Sequence, residues 1–250
     1  MRTLGILCAR GASKRLPRKH LQPLGELPVV GWMCRAAAAS KLTDVVLTTE
    51  DADIAAAARM NGVEAPFLRP AHLAEDYATD HGIITHALEA VTKMSGASYD
   101  AVVMLQPTTP FTLPEDIDAC VARLEADVGL ACCFTVRPVT EPADWMFVED
   151  ENGLARRLLA KSDEEPAAHK QLLRRSWFPS GAAYAVRVDA LDAQQRIYCS
   201  PFAFHAMAAE RCVDIDEPLD LIIAEAVMRY RSFMPAAPAP RAPLARMEHS

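Results

Sequence analysis

The stretch Leu4-Gly-Ile-Leu-Cys-Ala9, followed at once by Arg10-Gly-Ala-Ser-Lys-Arg-Leu-Pro-Arg-Lys-His20, decides the fold. A short apolar run of this kind predicts a β-strand that is covered on both faces, as in a parallel sheet. The glycine and the cations that follow it lie where such a strand ends. In open α/β sheets, ligands bind at the carboxyl ends of the strands.

Apolar runs alternate with helical patterns along the rest of the chain. This β-α-β-α order predicts an α/β fold with an open, mostly parallel sheet and helices on both faces. The predicted strands are Val45 to Thr49, Val63 to Leu68, Ala101 to Leu105, Leu130 to Val136 and Ala182 to Val188. The predicted helices lie near 28–40 and 51–61, around Ile83 to Val91, after a capping box at Thr112 to Glu115, and along a final stripe of Leu219, Ile222, Ile223, Ala226 and Val227.

The chain of 250 residues is interpreted as one domain over 1–232, interrupted by an irregular excursion at about 137–180. Residues 233–250 are rich in Pro and Ala, so a disordered tail is expected there. The net charge of −7 disfavours a nucleic-acid binder, and no apolar run is long enough to span a membrane. Seven scattered cysteines indicate reduced thiols, and a cytoplasmic location is expected.

The loop after the first strand carries five cations within the eleven residues 10–20. Successive backbone N–H groups near Gly11 could form a nest for anions, and Arg and Lys side chains could neutralise a polyphosphate. The loop matches neither GxxxxGK[ST] nor GxGxxG. The alternative is an ordinary solvated basic loop.

Two further motifs could carry chemistry. In an extended segment, Asp214 and Asp216 of Val213-Asp-Ile-Asp216 point to the same face, and paired carboxylates suit Mg²⁺ that also carries a phosphate. The alternative is an acidic helix start, with Asp216 or Glu217 as the cap. Leu105-Gln-Pro-Thr-Thr-Pro110 follows a buried strand and could present Gln106 to a ligand, or could be a plain connection.

The segment Ala9 to Lys19 resembles the ARGGSKxxPxKN signature of the acylneuraminate cytidylyltransferases, a family that includes CMP-sialic acid, CMP-nonulosonate and CMP-KDO synthetases. Five further blocks resemble this family in the same order: Val46 to Asp51, Phe67 to Ala74, Leu105 to Pro110, Pro179 to Tyr184 and Val213 to Asp216. The resemblance implies a Rossmann-like nucleotidyltransferase fold. It also implies that the excursion near 137–180 is a small dimerisation arm, exchanged between the subunits of a homodimer.

The resemblance implies transfer of CMP from CTP to a 2-keto-3-deoxy sugar acid, with Mg²⁺ as cofactor and pyrophosphate as the other product. It implies catalytic roles for Arg10, Lys19 and Asp216, the proton of the acceptor going to Asp216 or to a metal-bound hydroxide. The implied ligands fall into three groups: Arg10, Gly11, Ala12, Ser13, Lys19, His20, Arg69, Ala78 and Asp80 for the nucleotide; Gln106, Lys170 and Tyr184 for the acid; Asp214 and Asp216 for the metal.

The sequence departs from the family pattern at several of these positions. Ala12 and His20 replace a Gly and an Asn on the nucleotide side. Thr112 and Phe178 stand where the family often has Arg, and Ser180 replaces an Asn. The last three changes favour the hypothesis of a variant acceptor, such as a different nonulosonic acid, a KDO-like acid or a phosphonate. A nucleotidyltransferase that uses another NTP, and a non-catalytic nucleotide-sensing protein, are the remaining alternatives.

Overall fold

The computed structural model describes residues 1–141, 143–159 and 175–230. Its strands are β1 (Thr3–Cys8), β2 (Pro23–Leu24), β3 (Leu27–Pro28), β4 (Asp44–Thr48), β5 (Ala101–Leu105), β6 (Cys132–Pro138), β7 (Phe147–Glu149), β8 (Ala155–Arg157), β9 (Trp177–Arg187) and β10 (Phe202–Ala206). Its helices are α1 (Val29–Ala39), α2 (Ala52–Met60), α3 (Asp80–Ser95), α4 (Pro114–Ala126), α5 (Val188–Gln194) and α6 (Pro218–Arg229).

Six strands form the central sheet in the order β10-β6-β9-β5-β1-β4. Strand β1 pairs in parallel with both β4 and β5, so that Ile6 lies opposite Val46 on one side and Met104 on the other. Strand β9 runs antiparallel between β5 and β6, and β10 is parallel to β6. The predicted α/β class with a mostly parallel sheet is therefore confirmed.

Helices cover both faces of the sheet around β1 and β5, which is why β5 and the part of β1 from Leu4 to Cys8 lack polar and charged side chains. On one face Leu7 and Val103 pack in a cluster with Val30 of α1 and Ile117 of α4. On the other face Ile6 and Met104 pack in a cluster that contains Ile84 of α3 and Leu191 of α5. Within the described part of the chain, no helix is long and apolar enough to cross a membrane.

The predicted strand at Val63 to Leu68 is wrong: only one bridge, between Val46 and Glu64, extends the sheet there. Pro66 has no N–H to donate, which interrupts a ladder. The predicted capping box at Thr112 to Glu115 is also displaced. Helix α4 begins at Pro114, and Asp116 accepts the N–H of Leu113 at 2.9 Å.

The return strand β9 begins at Trp177, five residues before the predicted start. Its first residues pair with the end of β6, so the excursion from the sheet covers 139–176 rather than 137–180. Within the described part, the excursion contains the hairpin β7–β8. The tail predicted at 233–250 lies outside the described residues.

Of the apolar stripe predicted for the last helix, only Val227 packs against the core. Leu219 and Ile222 of α6 are 63% and 62% exposed, whereas the opposite side packs against α1 and the β2–β3 hairpin. The packed residues are Leu221, Ala224, Val227 and Met228. A helix that is apolar on two sides does not reveal from its sequence which side is covered.

Candidate active site

Four segments meet at the carboxyl ends of β1, β4 and β5. They are the cationic loop at 10–20, the residues after β4, the turn that begins at Gln106, and the segment Asp214–Asp216 that leads into α6. Parallel pairing of β1 with its two neighbours brings three of these strand ends to one edge, as the sequence predicts.

The cations of the loop are paired with carboxylates. Asp76 accepts from Arg10 at 2.8 Å and from Lys14 at 2.6 Å. Elsewhere Arg15 pairs with Asp216 and Glu217, Arg18 pairs with Asp51 and Asp53, and Lys19 pairs with Asp216. Each cation of the loop thus points at an anionic group, and Lys19, at 16% side-chain exposure, is the one most shielded from solvent.

Gly11 lies where the loop crosses the residues after β4. Its N–H donates to Glu50 Oε1 at 2.6 Å, and a Cβ at this position would lie 2.4 Å from Asp51 Oδ2. Only glycine fits such a contact. The N–H predicted to line the phosphates is therefore held by Glu50, while Ala12 is exposed and Ser13 half-buried. Glu50 Oε2 is buried, and no residue in the described part of the chain forms a hydrogen bond with it.

His20 and Arg69 lie in the interior beneath the loop. The pKa of His20 is lowered to about 3, because burial and then the charges of Lys19, Arg69 and Arg10 oppose protonation. The imidazole is thus neutral at physiological pH, and its Nδ1 has no hydrogen-bond partner among the described residues. The Arg69 guanidinium donates to the carbonyl and the hydroxyl of Thr48, which fixes it under the end of β4.

The segment at Asp214–Asp216 is held against the turn after β5. The N–H of Ile215 donates to the carbonyl of Thr108 at 2.8 Å. A Cβ at Gly181 would lie 3.2 Å from Gln106 Oε1 and 3.3 Å from Asp214 Oδ2, so these two side chains converge on the glycine. Gly181 has a φ of +82°, and it sits where the β6–β9 register is irregular.

The two aspartates of this segment differ in their electrostatics. Desolvation raises the pKa of Asp214, and the nearby Asp216 carboxylate raises it further. Partial burial alone would raise the pKa of Asp216 too, but Lys19 at 2.8 Å and Arg15 at 2.7 Å lower it overall. Asp216 is therefore held as an anion between two cations of the loop.

The helix-start alternative is correct for Glu217, which is the N-cap residue of α6. Asp220, in the first turn of the helix, accepts the N–H of Asp216 at 2.9 Å and that of Glu217 at 2.8 Å. The side chain of Asp216 is not the cap, and it is bound by Lys19 and Arg15 instead.

The carboxylates fit a magnesium ion that also binds phosphate. The described residues contain no group of three or more His, Cys, Asp or Glu that could hold a metal by themselves. Mg²⁺ is commonly held by one or two carboxylates, and substrate phosphates and waters complete its shell. Asp214 and Asp216 match this donor set, and their mutual repulsion would be relieved by a cation.

The positions that suggest a variant acceptor have different surroundings. Thr112 is buried and donates to the carbonyl of Thr109 at 2.9 Å. Ser180 is buried and donates to Thr135 Oγ1 at 2.7 Å. Phe178 is exposed, with the Arg137 guanidinium 4.9 Å from its ring centroid. Thr112 and Ser180 therefore make internal hydrogen bonds, and neither presents a cation to a substrate.

The remaining predicted residues lie around this edge or outside the described part. The ring of Tyr184 is buried against Phe134, and its hydroxyl lies 3.5 Å from that of Tyr198. Ala78 and Asp80 precede and begin α3, and burial raises the pKa of Asp80. Lys170 lies outside the described residues.

Glu50 and Asp76 belong to the site but were not predicted from the sequence, and Arg15 was predicted only as one cation of the loop. Glu50 directly follows a predicted strand, so its position was a usable signal. Asp76 is 66 residues from Arg10 in sequence, and nothing local connects the two.

Comparison with known proteins agrees with this geometry. Residues 4–231 match the model of the family described as "Cytidylyltransferase". The chain belongs to the cytidylyltransferase family. It is therefore a nucleotidyltransferase, as the sequence predicts.

Among relatives of this cytidylyltransferase, the CMP-N,N'-diacetyllegionaminic acid synthase of Legionella pneumophila is 27% identical over 91% of this chain and 97% of the relative. The pseudaminic acid cytidylyltransferase of Campylobacter jejuni is 36% identical over 47% of this chain and 50% of the relative. A solved CMP:2-keto-3-deoxy-manno-octonic acid synthetase in complex with CTP superposes with a TM-score of 0.68 at 17% identity. The superposition covers 92% of this chain and 99% of the synthetase chain, which confirms the fold.

Proposed function

We propose that this cytidylyltransferase transfers CMP from CTP to a 2-keto-3-deoxy sugar acid of the nonulosonate type, with release of pyrophosphate. The observation that carries the proposal is the contact between Lys19 Nζ and Asp216 Oδ1 at 2.8 Å. It joins the cationic loop to the paired carboxylates across 197 residues of sequence. The names of the relatives, which act on sugar acids, support the same acceptor class.

In the proposed reaction, the anomeric hydroxyl of the acid attacks the α-phosphorus of CTP. An O–P bond forms, the hydroxyl proton passes to a water molecule, the bond from the α-phosphorus to the bridging oxygen breaks, and pyrophosphate leaves. Negative charge grows on the phosphoryl oxygens and on the leaving group. Arg10 and Lys19 stabilise this charge, because cations held in place before the reaction need no reorganisation.

A magnesium ion on Asp214 and Asp216 would neutralise phosphate charge and orient the triphosphate. Lys19 and Arg15, which hold Asp216 in the described structure, would turn to the phosphates when such an ion takes the carboxylate. The lowered pKa of Asp216 makes it a weak proton acceptor, so its favoured role is that of an anionic ligand.

The same proposal includes a homodimer and a cytoplasmic location, where CTP is made. Within the described part of the arm, apolar side chains are left uncovered: Phe147, Leu154 and Leu159 are each about 60% exposed. A partner arm would cover them. A charged substitution, Phe147→Asp, should shift the mass measured by light scattering from dimer to monomer, and an unchanged mass would contradict this part of the proposal.

The test of function is a screen of sugar acids with CTP and Mg²⁺, read by mass spectrometry of the CMP conjugate and by pyrophosphate release. N-Acetylneuraminate, diacylated nonulosonates, KDO and a phosphonate form the panel, and ATP, GTP and UTP replace CTP in control reactions. We expect turnover with CTP and a nonulosonate, and loss of turnover in Asp216→Ala with little change in melting temperature. Turnover with a different NTP only, or full activity of Asp216→Ala, would refute the proposal.

A further inference from the structure

A buried ionic cluster lies next to the metal-binding segment but outside the site described above. Asp116, on the first turn of α4, has a side chain that is only 3% exposed. Its carboxylate accepts from Arg211 Nη1, from His205 Nε2 at 3.2 Å and from the N–H of Leu113 at 2.9 Å. A buried carboxylate is costly unless it is paired in this way, so the three contacts stabilise one another.

This cluster joins three elements that lead into the site. Leu113 ends the turn that begins at Gln106, and His205 belongs to β10. Arg211 closes the short turn Ala209–Arg211, three residues before Asp214. Its side chain is 17% exposed, so its guanidinium is largely enclosed against Asp116.

The segment that carries Asp214 is therefore anchored on both sides of that residue. Before it, the Arg211 side chain is bound to Asp116; after it, the N–H of Ile215 is bound to the carbonyl of Thr108 at 2.8 Å. Both anchor points belong to the same stretch, 106–116, which also presents Gln106. Only residues 212–214 lie between the anchors, a length that spans about 10 Å and leaves little freedom.

We propose that Asp116 and Arg211 are positioning residues of this cytidylyltransferase: their ion pair holds the segment Cys212–Asp216 so that Asp214 stays beside Gln106 and the metal–nucleotide complex. The proposal rests on the proposed function, because it assumes that Asp214 binds a divalent ion together with CTP. Loss of the Arg211 anchor leaves one attachment, at Thr108, about which Asp214 can swing. A misplacement of about 1 Å in a catalytic site can cost about a hundredfold in rate.

A purely structural role for the pair predicts something different. If Asp116 only caps α4, its loss lowers the melting temperature but leaves the affinity for the metal–nucleotide complex unchanged. The two roles therefore separate in a binding measurement that does not depend on turnover. Mn²⁺ serves as the probe, because its binding with CTP can be followed by electron paramagnetic resonance.

The experiment compares Arg211→Met with the conservative Arg211→Lys and a control, Arg59→Met. Arg59 pairs with Glu64 at 2.9 Å in the region of α2, away from the segment. We expect Arg211→Met to weaken Mn²⁺ binding in the presence of CTP about tenfold and to raise the Mg²⁺ concentration for half-maximal rate by a similar factor. Arg211→Lys should recover most of this loss, and the control should lie within twofold of the unmodified protein.

A lower melting temperature with unchanged Mn²⁺ binding in Arg211→Met would overturn the proposal. Should that variant not fold, Asp116→Asn carries the same expectation, because an amide oxygen can still cap Leu113 while the charge is lost. Weakened Mn²⁺–CTP binding in a protein that uses no sugar acid would refute the proposed acceptor and still support the positioning role. Absence of Mn²⁺–CTP binding in the unmodified protein would refute both.

Discussion

Replacement of Gly181 by alanine tests whether Gln106 and Asp214 belong to the reaction centre. At φ +82° an L-residue costs about 1–2 kcal/mol, which in a chain of this size lowers the melting temperature by roughly 2–8 °C. The new Cβ would also lie 3.2 Å from Gln106 Oε1 and 3.3 Å from Asp214 Oδ2, so both side chains must retreat by several tenths of an ångström. We expect the rate of CMP transfer to fall by about tenfold to a hundredfold.

Gly96 provides the matched control for this substitution. It has a φ of +69° after α3, and a Cβ there would meet no atom within 4 Å. Gly96→Ala should therefore show the same backbone strain, and a similar fall in melting temperature by differential scanning fluorimetry, with unchanged pyrophosphate release. If Gly181→Ala keeps as much activity as Gly96→Ala, Gln106 and Asp214 do not line the acceptor site and the reasoning is wrong.

Three further substitutions follow from the environments of single residues. Asp214→Asn should raise the melting temperature at pH 7 and abolish transfer. Folding raises the pKa of Asp214, so this carboxyl favours the folded state below its unfolded pKa. That contribution to stability is lost as the pH rises through the folded pKa. A lower melting temperature in this variant at pH 7 would contradict the assigned direction. In His20→Asn, the free energy of unfolding measured by denaturant titration should fall less between pH 6.5 and pH 3 than in the unmodified protein. The reason is that only the unfolded state protonates the His20 imidazole in that range. An equally steep fall in the variant would contradict the lowered pKa of His20. Ser180→Asn, which restores the family's residue, should lower stability without changing the order of preferred acceptors, because the site is buried against Thr135; a new acceptor preference would return Ser180 to the substrate side.

Five strands of the central sheet could be predicted because each contains a continuous apolar run, whereas β10, which contains His205 and is half-exposed, was not predicted. Leu4 to Ala9 and Ala101 to Leu105 are covered on both faces, and a continuous apolar run is the signal of that environment. Val63 to Leu68 has similar apolar character, but it lies at the edge beyond β4 and contains Pro66, so only one bridge forms. Local composition does not report whether a neighbouring strand is present.

The site was predictable in outline, because parallel topology brings strand ends together irrespective of their distance in sequence. Lys19 and Asp216 were assigned to one site, and they lie in contact. The partners of individual cations were not predictable, since the Arg10–Asp76 pair depends on how a loop of irregular backbone folds back. The same limit applies to Thr112 and Ser180, because the sequence shows that the family's usual residue is replaced but not the direction in which the replacement points.

The account depends on one arrangement, in which the triphosphate of CTP lies between the cationic loop and the aspartates before α6. The most direct measurement is a crystal structure of the protein with CTP and Mg²⁺. The account predicts phosphate oxygens within about 3 Å of Lys19 Nζ and a metal ion in contact with Asp214 and Asp216. A nucleotide bound elsewhere, with the Lys19–Asp216 contact undisturbed, would contradict it.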